Sequence, residues 1–151
     1  MFQASDEHSE PTQRVKLPCG PATLAGLRRQ GVTRFAALRY AQAPVGTLRF
    51  APPVPASLHG EVNATVTGPI APQLPSALSR VLGPSEAPQS EDCLHLTVWT
   101  PASDAPARPV VVWCHGGAWQ SGGVLDWYDG GALARRGNVV VVGVYARPGP
   151  L

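Results

Sequence analysis

Apolar positions along the chain fall into two regimes. Up to about residue 90 they come in short runs broken by Pro and Gly; after that they gather into Val-rich blocks. Residues 1–13 are polar and acidic without periodicity, the pattern of a frayed tail. Ala22 to Leu27 and Val32 to Leu38 are apolar-rich, and Arg28-Arg29-Gln30-Gly31 between them predicts a hairpin connection. Tyr40 to Pro55 carries Pro44, Pro52, Pro53 and Pro55, a density that forbids a regular helix or a central strand. An ordered, extended loop is expected there, and a short strand within Leu58 to Thr67. Gly68 to Gln89, with Pro69, Pro72, Pro75, Pro84 and Pro88, is the least structured interior stretch, with room for a short helix at Ser76 to Leu82.

The last third differs. Leu94 to Trp99 alternates as a half-buried strand does. Pro109 to Cys114 and Val139 to Val144 are continuous apolar runs, which suggest strands covered on both faces in a parallel sheet. Between them, Asp129 to Arg136 predicts a short helix. Asp129 is its candidate cap, Arg135 and Arg136 suit its C-terminal dipole, and Gly137 is its candidate stop. Strand, loop, helix, strand is the crossover unit of an α/β fold.

Composition narrows the classes. Sixteen Gly and 17 Pro in 151 residues, with 44% hydrophobic and 15% charged residues, fit a globular chain rather than a coiled coil or a charged disordered tail. A net charge of +2 argues against a nucleic-acid binder. One local bias stands out: between Pro11 and Gly60 there is no acid, while Arg14, Lys16, Arg28, Arg29, Arg34, Arg39 and Arg49 all lie there. Solvated strand and turn positions are the favoured reading; a phosphate-binding face is the alternative. Cys19, Cys93 and Cys114 are too few and too scattered for a disulfide framework, and no C-x-x-C suggests zinc. No apolar signal core opens the chain, and its longest apolar run, Val139 to Ala146, is too short to span a bilayer. A cytoplasmic protein without membrane association, cofactor or metal is expected.

The chemistry centres on His115-Gly116-Gly117-Ala118-Trp119, directly after the Val-rich strand ending at Cys114. Glycines at a strand end let the backbone adopt dihedrals that aim N–H groups at one point. In acyl transfer such a point is where the tetrahedral oxyanion sits.

Around this loop the sequence resembles the N-terminal part of the type-B carboxylesterase family, the α/β-hydrolases that include cholinesterases and bacterial para-nitrobenzyl esterases. Four blocks carry the likeness over about residues 15 to 147. They are Arg34 to Ala41 with Ala43 to Pro53 (APVGTLRFAPP); Ser90-Glu91-Asp92-Cys93-Leu94-His95-Leu96; Val110 to Trp119; and Tyr128 to Ala134 running to Asn138 to Val142. The resemblance implies a truncated α/β-hydrolase fold: N-terminal hairpin strands plus the first strands of a central, mostly parallel sheet. Residues 14–151 would be the N-terminal portion of one domain. It also implies oxyanion donors at the N–H groups of Gly117 and Ala118, and a buried ion pair between Arg49 and Glu91. His115 would serve packing and hydrogen bonding rather than acid–base catalysis.

Departures from the family pattern matter equally. The nucleophilic serine of the family sits in a G-x-S-x-G elbow, and none occurs here. Ser121 lacks that context. The chain therefore resembles about the first quarter of a family member, without nucleophile, acid or catalytic histidine, and is expected to be inactive alone. The family's Tyr-Arg-x-Gly continuation is replaced by Tyr145-Ala146-Arg147-Pro148-Gly149. Ala71-Pro72-Gln73 stands where many secreted members have Cys-Pro-Gln, so Cys93 lacks its usual partner, in agreement with a reducing compartment. Residues 71–93 hold no aromatic side chain to bind a quaternary ammonium, which makes choline esters a poor substrate for a full-length parent.

The leading expectation is a contribution to carboxylic ester hydrolysis on a small-molecule ester, with a complementing C-terminal polypeptide as a candidate partner. The alternatives are a non-catalytic cholinesterase-like interaction module and a non-functional gene remnant. A cut sheet should leave Val139 to Val144 as an open edge and strip Trp99, Trp113, Trp119 and Trp127 of much of their core, favouring aggregation.

Overall fold

A computed structural model describes residues 10–75, 81, 83, 87–101 and 107–148. Seven strands form one mixed sheet: β1 (Gln13–Cys19), β2 (Ala22–Arg29), β3 (Val32–Arg39), β4 (Gly60–Asn63), β5 (His95–Pro101), β6 (Val110–Cys114) and β7 (Val140–Val144). An α-helix, α1 (Gly131–Gly137), lies between β6 and β7, preceded by a 3-10 turn at Asp126–Tyr128. The sheet order is β1-β2-β3-β5-β7-β6, with β4 beside β2. Strand β4 runs parallel to β2, and β6 parallel to β7; the other pairs are antiparallel.

The β2–β3 hairpin turns on two residues, not four. Gln30 (φ 50°) and Gly31 (φ 72°) both take the left-handed conformation that matches strand twist. Arg28 and Arg29 consequently extend β2. Strand β1 falls partly in the stretch expected to fray; its Val15 and Leu17 alternate with exposed Arg14, Lys16 and Pro18, as befits an edge strand. Strand β4 ends in a wedge between β2 and β3: Ala64 donates its N–H to Ala25 O and Ala36 donates to Ala64 O, each at 2.8 Å. Ala37 (φ 53°) marks the irregularity where β3 shifts register against β5.

The expected open edge is misplaced. Strand β7 is internal, between β5 and β6, because the crossover through α1 folds it back inside. The edge is β6, whose Val110 and Val112 are each 59% exposed and whose Trp113 is 46% exposed. Its apolar run is thus not covered on both faces by the described residues. Trp99 also departs from expectation: it is buried with Val32, Ile70, Val124, Leu125, Ala134, Val141 and Tyr145. Trp113 and Trp119 are exposed.

Helix α1 is shorter than expected. Gly130 is its N-cap, while Asp129 accepts the Gly131 N–H at 2.8 Å from one residue earlier. The helix stops not by Gly137 leaving the helical conformation but by Asn138, which is left-handed (φ 48°, ψ 44°). Two smaller clusters complete the core, one around Leu24, Phe35 and Leu38 and one around Ala41, Ala71, Cys93 and Leu94. The stretch expected to be least structured is anchored at both ends by a bridge between Ile70 and Gln89. The helix expected at Ser76 to Leu82 lies almost wholly outside the described residues.

Candidate active site

Strand β6 delivers the chain into the glycine loop. Gly117 (φ 133°), Ala118 (φ 53°) and Trp119 (φ 60°) follow one another in the positive-φ region. The loop closes on itself through Gln120 and Ser121, whose N–H groups donate to Gly117 O at 2.9 and 3.1 Å. A Cβ on Gly117 would lie 1.8 Å from Ser121 O, so only glycine fits. Among the described residues, neither the Gly117 nor the Ala118 N–H donates a hydrogen bond. Both residues line a cavity of about 320 Å³, together with His115, Ser121, Val144 and Ala146.

His115 Nδ1 lies 3.0 Å from Gly116 O, and its Nε2 is shielded from solvent without a partner among the described residues. Its ring also excludes a side chain at Gly122, where a Cβ would meet Nδ1 at 2.2 Å. Ser121 makes no hydrogen bond to a histidine among the described residues.

The loop has a brace that the sequence did not single out. The Gln73 side chain holds Gly122 twice: Oε1 accepts the Gly122 N–H at 2.6 Å and Nε2 donates to Gly122 O at 2.8 Å. Nε2 also donates to Ala71 O at 3.0 Å. The A-P-Q triplet was read only for its missing cysteine; the glutamine fixes the far end of the glycine loop. Ala71 and Cys93 share one buried cluster. Cys19, Cys93 and Cys114 are free thiols, and burial, with help from Asp92, pushes the Cys93 thiol up to about 11.

Arg49 and Glu91 come together, Nη2 to Oε1 at 2.9 Å, but the pair is not buried: the side chains are 48% and 31% exposed. A second pair, absent from the sequence reading, is bidentate between Arg39 and Asp92. Hydrogen bonds from Arg39 hold the Asp92 carboxyl below its ordinary range. Beside it, His95 is buried, its ring 4.1 Å from that of Tyr145. Burial, aided by Arg39 and opposed by Asp92, lowers its pKa to about 4. Tyr145 donates its hydroxyl to Val124 O at 2.9 Å, and Tyr40 donates to Tyr145 O at 2.8 Å, tying β3 to the segment after β7.

No three His, Cys, Asp or Glu among the described residues gather as metal ligands, and no helix of the described residues is long and apolar enough to cross a membrane.

Known proteins are similar to this chain in sequence and fold. The para-nitrobenzyl esterase of Bacillus subtilis (strain 168) is 42% identical over 128 residues, covering 83% of this chain and 26% of that protein. Acetylcholinesterase-1 of Trittame loki is 43% identical over 114 residues, covering 72% and 20%. A solved thermophilic PNB esterase superimposes with a TM-score of 0.80 at 37% identity, over 89% of this chain and 28% of its own. The chain thus spans about a quarter of the relatives it matches and carries part of their α/β-hydrolase fold. The carboxylesterase family model matches residues 11–151, a span that takes in the hairpins, the glycine loop and the β6–α1–β7 crossover, and so the chain belongs to the carboxylesterase family.

Proposed function

We propose that this chain is the N-terminal portion of a serine carboxylic ester hydrolase and supplies its oxyanion loop. The observation that carries the reading is the pair of unengaged N–H groups of Gly117 and Ala118 at the wall of one cavity. Two such donors offset charge on the carbonyl oxygen as a serine alkoxide adds to the ester, and a third donor follows the nucleophile in the elbow. The acyl-serine ester then forms as the alcohol leaves, and water releases the acid. The serine, the base and its acidic partner are not among these residues. The substrate is a small-molecule ester, and a complementing C-terminal polypeptide brings the triad. The Arg49–Glu91 pair ties the N-terminal loop to the segment before β5. Free Cys93, with Ala71 in its cluster, fits a reducing cytoplasm.

The test is p-nitrophenyl acetate hydrolysis. The chain alone is expected to show none above buffer. Co-expressed with the remaining C-terminal part of the Bacillus subtilis relative, it is expected to give turnover that a serine-directed phosphonate abolishes. Phosphonate-sensitive turnover by the chain alone, with the label on Ser121, refutes the claim that its nucleophile comes from elsewhere.

A further inference from the structure

We propose that the cleft between the β2–β3 turn and α1 is a binding site for a small phosphate monoester with an apolar body. The cleft holds about 480 Å³, within the usual range for ligand sites. Three guanidinium side chains line it, Arg29 from the end of β2, Arg34 from β3 and Arg135 from α1.

Their charge is unanswered. Of the other cations in the acid-free N-terminal stretch, Lys16 pairs with Glu61, Arg39 with Asp92 and Arg49 with Glu91, while Arg14 and Arg28, which do not line the cleft, form no ion pair among the described residues. Among the described residues, Arg29, Arg34 and Arg135 form no ion pair. Two of them are held by neutral acceptors instead. Arg34 donates to Thr65 O at 3.3 Å and Thr67 Oγ1 at 3.5 Å, and Arg135 donates to Gln30 Oε1. Such anchoring fixes the guanidinium planes while leaving their charge for a ligand, and planar forks suit phosphate oxygens.

The charge of the cleft selects the ligand. Among the described residues Asp129 is its one carboxylate, and one oxygen already accepts the Gly131 N–H. Three positive groups against one negative leave a formal +2, which matches a phosphate monoester carrying about −1.5 to −2 near neutral pH. Leu27, Val32 and Trp99 supply apolar lining for the organic part. The cleft shares no lining residue with the glycine-loop cavity. It lies at the opposite end of β7: Trp99 is in register with Val141, whereas Val144 lines the other cavity.

Calorimetric titration of the full chain with phenyl phosphate, inorganic phosphate and phenol at low ionic strength tests this. Phenyl phosphate is expected to bind at least about fivefold more tightly than inorganic phosphate, and phenol not at all. Arg29→Ala and Arg135→Gln, both at exposed positions, should each weaken phenyl phosphate about fivefold or more. Arg14→Ala, on β1 outside the cleft, should leave it unchanged. The proposal is overturned if none of the probes binds, if phenol binds as well as phenyl phosphate, or if Arg14→Ala costs as much as the two cleft variants. No esterase measurement enters, so the outcome is independent of the catalytic reading.

Discussion

His95 makes the stability of this chain sensitive to mild acid. Its ring is 3% exposed, packed on Tyr145 and against Gly68, and its Nε2 has no partner among the described residues. Folding therefore favours the neutral ring, and the folded pKa falls from 6.5 to about 4. The sign follows from linkage: between those values the unfolded chain takes up a proton that the folded chain refuses, so stability falls as pH drops from 6.5 to about 4 and the effect levels off below. At about 1.4 kcal/mol for each pH unit the full effect is of order 3 kcal/mol. Against the roughly 5–15 kcal/mol typical of a native domain, that is a visible share. Urea unfolding at pH 7 and pH 5, in the parent and in His95→Phe, reads it out. The variant keeps an aromatic ring against Tyr145 and removes the titrating nitrogen, so its midpoint should change much less between the two pH values. Identical pH slopes in both chains would sink the argument.

Other expectations follow from the same geometry. Gly117→Ala forces a Cβ to within 1.8 Å of Ser121 O, so turnover of the complemented enzyme should fall by about a hundredfold or more with its circular dichroism unchanged. Gly68→Ala places a Cβ 2.3 Å from His95 Nε2 and should cost about 1–3 kcal/mol in urea unfolding. Glu91→Ala removes only a half-exposed ion pair and should cost no more than about 1 kcal/mol; a loss several times larger would mean that the pair is shielded from water. Val112→Lys, on the exposed edge strand, should lower self-association in sedimentation velocity.

The strands with strong local signals were legible in the sequence. Val-rich runs gave β6 and β7, alternation gave β5, and paired apolar segments gave β2 and β3. Strand β1 has a weak signal of its own: Val15 and Leu17 alternate with charged neighbours and Pro18, which an edge strand tolerates but which two apolar residues do not announce. The order of the sheet was not legible. Nothing in a Val-rich run says which side it pairs on, and the crossover through α1 places β7 inside and β6 outside. At the candidate site, the glycines and their neighbours were visible as a motif. The Gln73 brace was not, because it joins residues 49 positions apart by side-chain bonds to backbone. The Arg49–Glu91 contact was reached through family likeness, but its exposure depends on surface packing that no motif encodes.

The placement of β7 between β5 and β6 has a consequence for the order of events as the chain leaves the ribosome. When Cys114 has been synthesised, β6 has no neighbour to pair with: β5 is not its partner in the sheet, and the strand that bridges them is still some twenty-five residues from being made. The Tyr40 hydroxyl must likewise wait for Tyr145, 105 positions later, before it finds its acceptor. Contacts this distant carry a high loop-closure cost and form slowly. During that interval Val110 to Trp113 are an unpaired, apolar segment, the condition under which nascent chains bind chaperones or one another. The arrival of β7 closes both gaps at once, which makes Val140–Val144 the segment whose synthesis commits the sheet to its final order.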